Sequence, residues 1–281
     1  MLQRNAFQSC SFLAGKLVTL SGNRPEDVYL LARTYFGSGQ PLRAVEVLDK
    51  QGLLSRSDQP GFLEVALLAC QSWAKAERSD EVIRLSELVF DIEPVNVLFF
   101  KQQCAQKWGK NQLPLLALIS LELGKAYAAQ DNRKKLITWT SACLHLDVRC
   151  AEALERLLNV HLTNAEEVEL IKSLMDSGAF AEPDTQWLLE MFQSVLPRFD
   201  CTTSCDLRFA KLDTVRALPG GPTLKEDVDI LALKAEARYN QRDTKGALTI
   251  TKKIVIDEGG TNERAAMVHI CLLYTSPSPR D

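Results

Sequence analysis

The sequence contains no hydrophobic run long enough to form a membrane-spanning helix. Its longest apolar stretch, Leu113–Leu121, is interrupted by Pro114 and Ser120 and is far shorter than the roughly 18 residues that such a helix needs. The N-terminal segment carries Arg4 and then mixes polar with apolar residues, which is not the pattern of a signal peptide. We therefore expect no membrane partner.

An excess of basic charge is also absent. The 281 residues include 33 Lys and Arg against 36 Asp and Glu, which gives a net charge of −3 and a pI near 5.8. Proteins that bind nucleic acid or an anionic membrane surface usually carry a basic excess or a basic patch. The charge balance therefore argues against nucleic acid as a partner.

Histidine is scarce, and no catalytic motif is present. His145, His161 and His269 lie on predicted helices, away from any Cys or Asp at catalytic spacing. The sequence has no HExxH, GxSxG, P-loop or paired-carboxylate motif. We therefore predict no catalytic residues, no cofactor and no enzymatic activity. A cryptic enzyme would require distant titratable residues to converge in one pocket.

The eight cysteines are scattered and form no CxxC motif. Several, such as Cys70, Cys104 and Cys143, lie at apolar helix positions, where free thiols act as small hydrophobic side chains in a reducing compartment. Cys201 and Cys205 form the single close pair, but no histidine lies near them to complete a zinc site. We therefore predict no metal site.

A helix–turn–helix pattern dominates the stretch Ser120–Asp147. One apolar run carries Gly124 and Tyr127, the polar turn follows, and a second run begins near Leu136. A small residue at Gly124 allows the partner helix to approach closely. This layout is typical of a tetratricopeptide repeat, a unit of about 34 residues that must stack on neighbours to bury its apolar face.

The same twelve-residue interval occurs three times. It separates Ala32 from Ala44, Gly124 from Leu136, and Ala235 from Ala247. No strand-like alternation of useful length is present. The sequence therefore predicts an all-α fold, a right-handed superhelical solenoid of tetratricopeptide repeats, some of them irregular.

The remaining helical pairs are less regular. Phe62–Phe90 has Ala69 in the small-residue position, but Ser72 and Glu81 depart from the usual aromatic and alanine. Thr163 followed by Glu166 predicts a capping box at a helix start. A first helix over Phe7–Leu20 carries apolar residues at several positions: Phe12, Leu13, Leu17, Val18 and Leu20.

The domain organisation follows from one break and one unusual tail. Pro219-Gly-Gly-Pro222 is the strongest break and predicts a linker over 219–227, after an N-terminal helical-repeat array over 1–218. A further repeat over 228–270 begins a C-terminal array. Residues 271–281 closely resemble one reading frame of a transposase adapter used in sequencing libraries. We expect them to be a disordered read-through artefact at the end of a fragment, the alternative being a natural Ser/Pro-rich tail.

A solenoid offers binding surfaces, since the first helix of each repeat lines its concave face. We predict that partners contact this face at nine positions: Tyr29, Arg33 and Phe36, Leu121, Lys125 and Ala128, and Ala232, Glu236 and Tyr239. Aromatic residues and arginine are common anchors of protein interfaces. Phe36 and Tyr239 are either such anchors or are covered by the neighbouring repeat.

Four segments, in this order and spacing, resemble a known family: Pro25–Ala32, Gly124–Tyr127 with the turn Asp131–Arg133, Leu146–Ala153, and Leu162–Leu170. They are similar to the N-terminal half of subunit six, the cell-division-cycle-sixteen type, of the anaphase-promoting complex. The resemblance runs from about Phe7 to about Ile270.

This resemblance implies a non-catalytic scaffold of a nuclear and cytoplasmic ubiquitin ligase that acts in mitosis. It implies other subunits of the complex as partners, and a homodimer formed through the N-terminal repeats of the full-length protein. The groove for a small helper subunit belongs to later repeats and is expected to be absent here. The alternative is another tetratricopeptide adaptor, such as a co-chaperone, although Tyr29 and Arg33 stand where a carboxylate clamp needs Lys and Asn.

Overall fold

The computed structural model describes residues 7–160, 162–182, 185–196, 203–215, 223–257 and 262–275, and within these ranges the chain forms α-helices and no β-strand. The prediction of an all-α fold is therefore confirmed. The contacts divide the chain into two units, 1–160 and 161–281. The helices of the first unit are α1 Phe7–Ser21, α2 Pro25–Gly37, α3 Pro41–Lys50, α4 Phe62–Lys75, α5 Ser79–Val89, α6 Val97–Trp108, α7 Leu113–Ala129, α8 Arg133–Leu146 and α9 Ala151–Asn159. Those of the second are α10 Asn164–Asp176, α11 Gln186–Val195, α12 Cys205–Phe209, α13 Val228–Asn240, α14 Thr244–Lys252 and α15 Glu263–Thr275.

The first unit contains three helical hairpins: α2 with α3, α4 with α5, and α7 with α8. The first helices of successive hairpins also pack together, α2 against α4 and α4 against α7. Pro25 and Pro41 occupy the first turn of α2 and α3, where the missing N–H would have had no helical partner. These contacts stack the hairpins as the repeat pattern predicts.

Gly124 explains how closely α7 and α8 approach. A Cβ atom at Gly124 would lie 2.7 Å from Oγ1 of Thr140 and 3.7 Å from the carbonyl oxygen of Leu136, both on α8. Ser120, one turn earlier on α7, donates a hydrogen bond of 2.8 Å to the carbonyl oxygen of Trp139. The prediction that a small residue at Gly124 permits close packing is confirmed.

The three hairpins share one turn geometry. In each, one residue adopts positive φ, at 79° for Gly39, 57° for Glu77 and 57° for Asp131. The N–H of the following residue donates a 2.9 Å hydrogen bond to the carbonyl oxygen five residues earlier: Gln40 to Tyr35, Arg78 to Trp73, and Asn132 to Tyr127. This is the Schellman pattern of a helix C-terminus.

The shared turn corrects the register predicted for α4 and α5. In the other two hairpins the positive-φ residue follows the small residue by seven positions. Counting back from Glu77 places Cys70, not Ala69, in the small position, and Trp73, not Ser72, in the aromatic position. Cys70 is fully buried, because a thiol is small and apolar enough for a close helix contact. This hairpin is therefore as regular as its neighbours.

Helix α6 lies between the second and third hairpins and packs against α7 and α8. It begins after Asn96, whose side chain accepts a hydrogen bond from the N–H of Phe99. Its Phe100 is fully buried against Phe90 and Trp139, with ring centroids 5.5 and 5.9 Å away. This aromatic cluster holds the extra helix against the array.

Helix α1 packs on α2. Cys10 and Ala14 are buried, whereas Phe12 and Leu20 are 66% and 85% exposed and Leu13 and Leu17 are also exposed. The helix predicted over Phe7–Leu20 is confirmed. Four of its five predicted apolar side chains, however, remain exposed.

In the second unit, α10 begins with the predicted capping box. Oγ1 of Thr163 accepts a hydrogen bond from the N–H of Glu166, and the Glu166 carboxylate accepts one of 2.8 Å from the N–H of Thr163. Two otherwise unpaired amides at the helix start are thereby satisfied.

Helices α13 and α14 form another hairpin, and α15 packs against both. Arg242 adopts φ of 64° at the turn, and Asp243 follows it as the N-cap, accepting a 2.9 Å hydrogen bond from the N–H of Gly246. Ala235 and Ala247, the third pair at the twelve-residue interval, are both fully buried. The predicted hairpin is confirmed.

The segment 203–215 is attached to α13 by polar contacts. Lys234 forms an ion pair of 3.0 Å with Asp213, and Arg238 forms one of 2.6 Å with Asp206. Gln241 accepts a hydrogen bond from the N–H of Cys205. These contacts give fixed positions to a part of the chain that has little regular structure.

The predicted domain boundaries differ from the observed division. The division between the units follows residue 160, whereas the sequence placed a linker at 219–227, of which residues 219–222 lie outside the described part. Residues 271–275, expected to be disordered, continue α15 as far as Thr275 because Leu272 is buried in the second unit. Residues 276–281 lie outside the described part.

None of the described helices is long and apolar enough to span a membrane.

Candidate protein-interaction surface

Helix α2 presents one aromatic and basic stripe. Tyr29, Arg33 and Phe36 follow at intervals of four and three residues and therefore lie on one side of the helix. Arg33 is exposed and Tyr29 and Phe36 are half-buried. The Arg33 guanidinium carbon lies 5.9 Å from the centroid of the Tyr29 ring. All three predicted positions on this helix are therefore accessible.

Helix α4 completes this surface with two charged residues that the sequence analysis missed. Nζ of Lys75 lies 3.9 Å from the centroid of the Phe36 ring, within the range of a cation–π interaction. Glu64 lies near enough to Tyr29 to affect its pKa. We call Tyr29, Arg33, Phe36, Glu64 and Lys75 the α2–α4 face. Phe36 is thus partly covered by the neighbouring repeat, as one of the two open interpretations held.

The pKa of Tyr29 reports the environment of this face. Partial burial raises the pKa of the phenol, the Arg33 guanidinium lowers it, and Glu64 raises it further, with a net rise. The hydroxyl therefore stays protonated at neutral pH and can donate a hydrogen bond. The α2–α4 face thus combines this hydroxyl and two aromatic rings with one acidic and two basic groups. It offers both polar and apolar contacts.

The predictions on α7 are only partly consistent with an exposed surface. Leu121 is 1% exposed, so its assignment to a partner-facing surface is wrong. The reason is that α7 packs against α4, α5, α6 and α8 at once. Ala128 is half-buried and could be reached by a partner.

Lys125 forms ion pairs within the chain. Its Nζ lies 2.9 Å from Glu122 on α7 and 2.6 Å from Glu152 on α9. Burial alone would lower the pKa of Lys125, but the hydrogen bonds to Glu152 and Glu122 outweigh this effect and the net change is a rise. Lys125 therefore stays charged and links α7 to α9.

The three positions predicted on α13 also make contacts within the chain. Ala232 is fully buried against Ile254 and Ala265, so its assignment to a partner-facing surface is also wrong. Glu236 forms an ion pair of 2.6 Å with Arg264 on α15. Tyr239 is half-buried and packs against the cluster of Ala247, Val268 and Leu272, so it is partly covered by the following helix α15, in line with the interpretation that the neighbouring repeat covers it.

The exposed side of α1 is a second candidate surface, which we call the α1 face. It consists of Phe12, Leu13, Leu17 and Leu20, all exposed, and Nζ of Lys16 lies 5.6 Å from the Phe12 ring centroid. The sequence showed these apolar residues but not their direction. The small size of Cys10 and Ala14, four residues apart and both buried, was the signal that this part of the helix packs closely.

The described histidines have structural partners. Nδ1 of His145 lies 2.8 Å from the carbonyl oxygen of Ser141, and Nδ1 of His269 lies 2.9 Å from Oγ1 of Thr251. Both side chains are buried, and His161 lies outside the described residues. Within the described ranges, no group of three or more His, Cys, Asp and Glu side chains is arranged to hold a metal ion.

Comparison with known proteins gives matches along nearly the whole chain. Residues 3–85 match the family model for the anaphase-promoting complex, cyclosome, subunit 3. The chain is 26% identical over 277 residues to anaphase-promoting complex subunit 6 of Arabidopsis thaliana, covering 96% of this chain and 49% of that protein. It is 26% identical over 279 residues to the cell division cycle protein 16 homolog of Homo sapiens, covering 96% of this chain and 42% of that protein. The chain therefore spans about half the length of these curated relatives.

A solved structure has a similar fold. The crystal structure of the anaphase-promoting complex hetero-tetramer Cut9–Hcn1 matches with a TM-score of 0.67 at 20% sequence identity, covering 97% of this chain and 47% of that one. The similarity confirms the predicted tetratricopeptide-repeat fold.

Proposed function

We propose that this chain is a non-catalytic scaffold of the subunit-six type in an anaphase-promoting complex, the ubiquitin ligase that promotes mitotic progression. The observation that carries the proposal is the similarity over 96% of the chain to two proteins named as subunit 6 and as cell division cycle protein 16. The stacked hairpins fit this role because each repeat contributes side chains to an extended binding surface. Such a scaffold acts in the nucleus and the cytoplasm.

The mechanism is the presentation of fixed surfaces, without bond chemistry. The α2–α4 face is the contact for another subunit of the complex. It combines an exposed arginine with aromatic rings held by intramolecular cation–π contacts, and preordered side chains lose little conformational entropy on binding. Arg33 is the expected anchor, because arginine and aromatic residues contribute most to typical interfaces.

The test is recovery of the complex with the tagged chain from its source cells. The wild-type chain should co-purify with other subunits of the anaphase-promoting complex, and Arg33→Glu with Phe36→Ala should reduce this recovery at least tenfold. Arg56→Glu is the matched control, since Arg56 is also exposed but lies between α3 and α4, away from the face. Recovery of chaperones in place of ligase subunits would favour the co-chaperone alternative and contradict the proposal.

We further propose that the α1 face binds a second copy of the chain and that the full-length protein is therefore a homodimer. Four large apolar side chains on one side of a single helix are an unusual exposure for a monomer. A two-fold interface brings the same face of each copy together, which allows the exposed apolar side chains of the two copies to cover one another.

Light scattering at micromolar concentration tests this dimer. The wild-type chain should have twice the monomer mass, and Leu17→Glu with Leu20→Glu should return it to the monomer mass. Phe99→Glu is the control, because Phe99 is a similarly exposed apolar residue on α6. A monomeric wild-type chain, or equal loss of mass in the control, would contradict the α1 assignment.

A further inference from the structure

A groove of about 540 Å³ lies between α3 and α5, the second helices of the first two hairpins. Each helix lines it with four residues at the spacing i, i+3, i+4 and i+7, which places them on one side of that helix. They are Leu42, Val45, Glu46 and Asp49 on α3, and Glu81, Arg84, Leu85 and Leu88 on α5. We call this cleft the α3–α5 groove. At 1.5 Å per residue, each wall is about two helical turns long.

The α3–α5 groove has an apolar interior that extends to the protein surface. Val45, Leu54 and Leu85 line it and are buried in the first unit. Leu42 on one wall and Leu88 on the other are 46% and 52% exposed. Exposed apolar side chains that line a common cleft are typical of a surface that another protein covers.

The two walls of the α3–α5 groove differ in charge. The lining residues are acidic on α3, with Glu46 and Asp49, and mainly basic on and directly before α5, with Arg78, Glu81 and Arg84. Glu46 pairs with Lys50 at 2.6 Å, and Glu81 pairs with Arg84 at 3.2 Å. Asp49 and Arg78 are both exposed, and their side chains form no hydrogen bond or ion pair in the described part of the chain. One anionic and one cationic group are therefore available to a partner.

Helix α6 shows how this array accepts a helix that belongs to no hairpin. It packs on α7 and α8 through Phe100, which is fully buried against Phe90 and Trp139. The anchor is thus a large apolar side chain held against aromatic rings of the array. The α3–α5 groove offers the half-buried ring of Trp73 for a similar contact, but no helix within the described ranges fills it.

We propose that the α3–α5 groove binds one amphipathic helix of a different protein. The apolar stripe of this helix covers Leu42, Trp73 and Leu88, as in other complexes in which a helix lies in a groove. Its basic flank lies beside Asp49 and its acidic flank beside Arg78, because this arrangement pairs both available charges. The groove shares no residue with the α2–α4 face or the α1 face, and the inference does not depend on the function proposed above.

The first test uses a synthetic helical peptide and the full chain. The peptide is alanine-based and fluorescein-labelled, with leucines at the spacing i, i+3, i+4 and i+7, lysines along one flank and glutamates along the other. Fluorescence anisotropy should show saturable binding at micromolar concentrations. A peptide of the same composition with its leucines distributed around the helix should not bind. Failure of the patterned peptide to bind, or equal binding of the two peptides, would overturn the proposal.

The second test places the peptide in the α3–α5 groove. Leu42→Glu with Leu88→Glu should weaken binding at least tenfold, and because both positions are exposed, circular dichroism should show an unchanged fold. Leu98→Glu is the matched control, since Leu98 is 47% exposed but lies on α6, and it should bind as the wild type does. Equal binding by all three chains would refute the assignment. A lower mass of the double variant in light scattering would assign the groove to a second copy and would also refute it.

The third test concerns the charges. Arg78→Glu leaves acidic charge in excess on both walls and should weaken binding of the patterned peptide several-fold. Adding Asp49→Arg exchanges the charges of the walls, and the peptide can then pair with both by lying in the opposite direction. Binding should therefore recover in the double variant, which a folding defect caused by the first substitution would not permit. A double variant that binds no better than Arg78→Glu would contradict the proposed charge pairing.

Discussion

At the scale of single residues, Gly124 limits how the third hairpin can vary. The close approach of Thr140 leaves no room for a methyl group between α7 and α8. Oγ1 of Thr140 is buried without a hydrogen-bond partner. The tetratricopeptide pattern identified this glycine correctly. It requires a small residue at this position because the two helices touch there, and helix propensity plays no part in the choice.

We predict that Gly124→Ala lowers the free energy of unfolding by about 1–2 kcal/mol. Overpacking of a buried contact costs roughly 1–3 kcal/mol, and the better helix propensity of alanine returns part of it. Urea denaturation followed by circular dichroism measures the difference. Adding Thr140→Ala should recover part of the loss, since it removes the atom that the new methyl group meets.

Gly15→Ala is the matched control. Gly15 lies inside α1, and a Cβ there would meet nothing within 4 Å. The substitution should therefore raise stability by about 0.5–1 kcal/mol through helix propensity. The two substitutions are expected to change the free energy of unfolding in opposite directions, and a stabilising Gly124→Ala would show that α8 can move away freely.

The turn residues with positive φ give a second prediction at this scale. Glu77 occupies the left-handed region at φ of 57°, which costs a non-glycine residue roughly 1–2 kcal/mol. Glu77→Gly should therefore raise the free energy of unfolding by a few tenths to about 1 kcal/mol, after the greater flexibility of glycine in the unfolded chain is subtracted. Ala76→Gly, one residue earlier at φ of −94°, should lower it. A lower free energy of unfolding in both variants would argue against the turn geometry that the three hairpins share.

At the scale of elements, the Lys125 ion pairs connect the third hairpin to α9. Glu122 is nearly buried, with 9% of its side chain exposed, and it depends on Lys125 to offset the loss of hydration. This arrangement also changes the interpretation of Lys125. The sequence indicated a position open to partners, but a long side chain can fold back onto carboxylates of neighbouring helices, and no spacing rule predicts that.

We predict that Lys125→Met lowers the free energy of unfolding by about 1–3 kcal/mol at pH 7, because it leaves the Glu122 carboxylate buried without its cation. Lys50→Met should change it far less, since Lys50 and Glu46 form an exposed pair that solvent screens. The folded-state pKa of Lys125 is raised, so its contribution is present at neutral pH and is lost only as pH rises through that pKa. Equal losses of stability in the two variants at pH 7 would contradict this role of the Lys125 ion pairs.

Sequence patterns predicted the hairpins better than they predicted the surfaces. The hairpins α2–α3, α7–α8 and α13–α14 followed from local spacing, since a small residue and its counterpart twelve positions later belong to one turn. The burial of Leu121 and Ala232 depends on helices far away in sequence. The register of α4 and α5 was wrong by one residue because Cys70 was not considered as the small side chain.

At the scale of the whole molecule, the protection of backbone amides against hydrogen exchange is expected to be uneven. Helix α7 is buried on nearly all sides, whereas α15 exposes a large part of its apolar surface at Met267, Ile270, Leu273 and Tyr274. The cores around α13–α15 consist mainly of small and medium side chains such as Ala232, Ile254 and Ala265. Local opening costs least where few large apolar groups are buried.

We predict that amide hydrogen exchange is faster in α13–α15 than in α4, α7 and α8. Mass spectrometry of peptic fragments at neutral pH checks this order. Peptides from α15 should exchange at least tenfold faster than those from α7, which corresponds to a difference of about 1.4 kcal/mol in opening free energy. Uniform protection from α4 through α15 would contradict it.

The recurring Schellman turn has a consequence for how such a chain can change in evolution. Because each pair of helices is closed by its own local hydrogen bonds, residues inserted between pairs leave the pairs themselves intact, and α6 with its flanking loops is one such insertion. Residues gained or lost within a pair would instead shift one helix by about 100° against the other, given 3.6 residues per turn. Length variation among homologous chains should therefore collect at the junctions between hairpins.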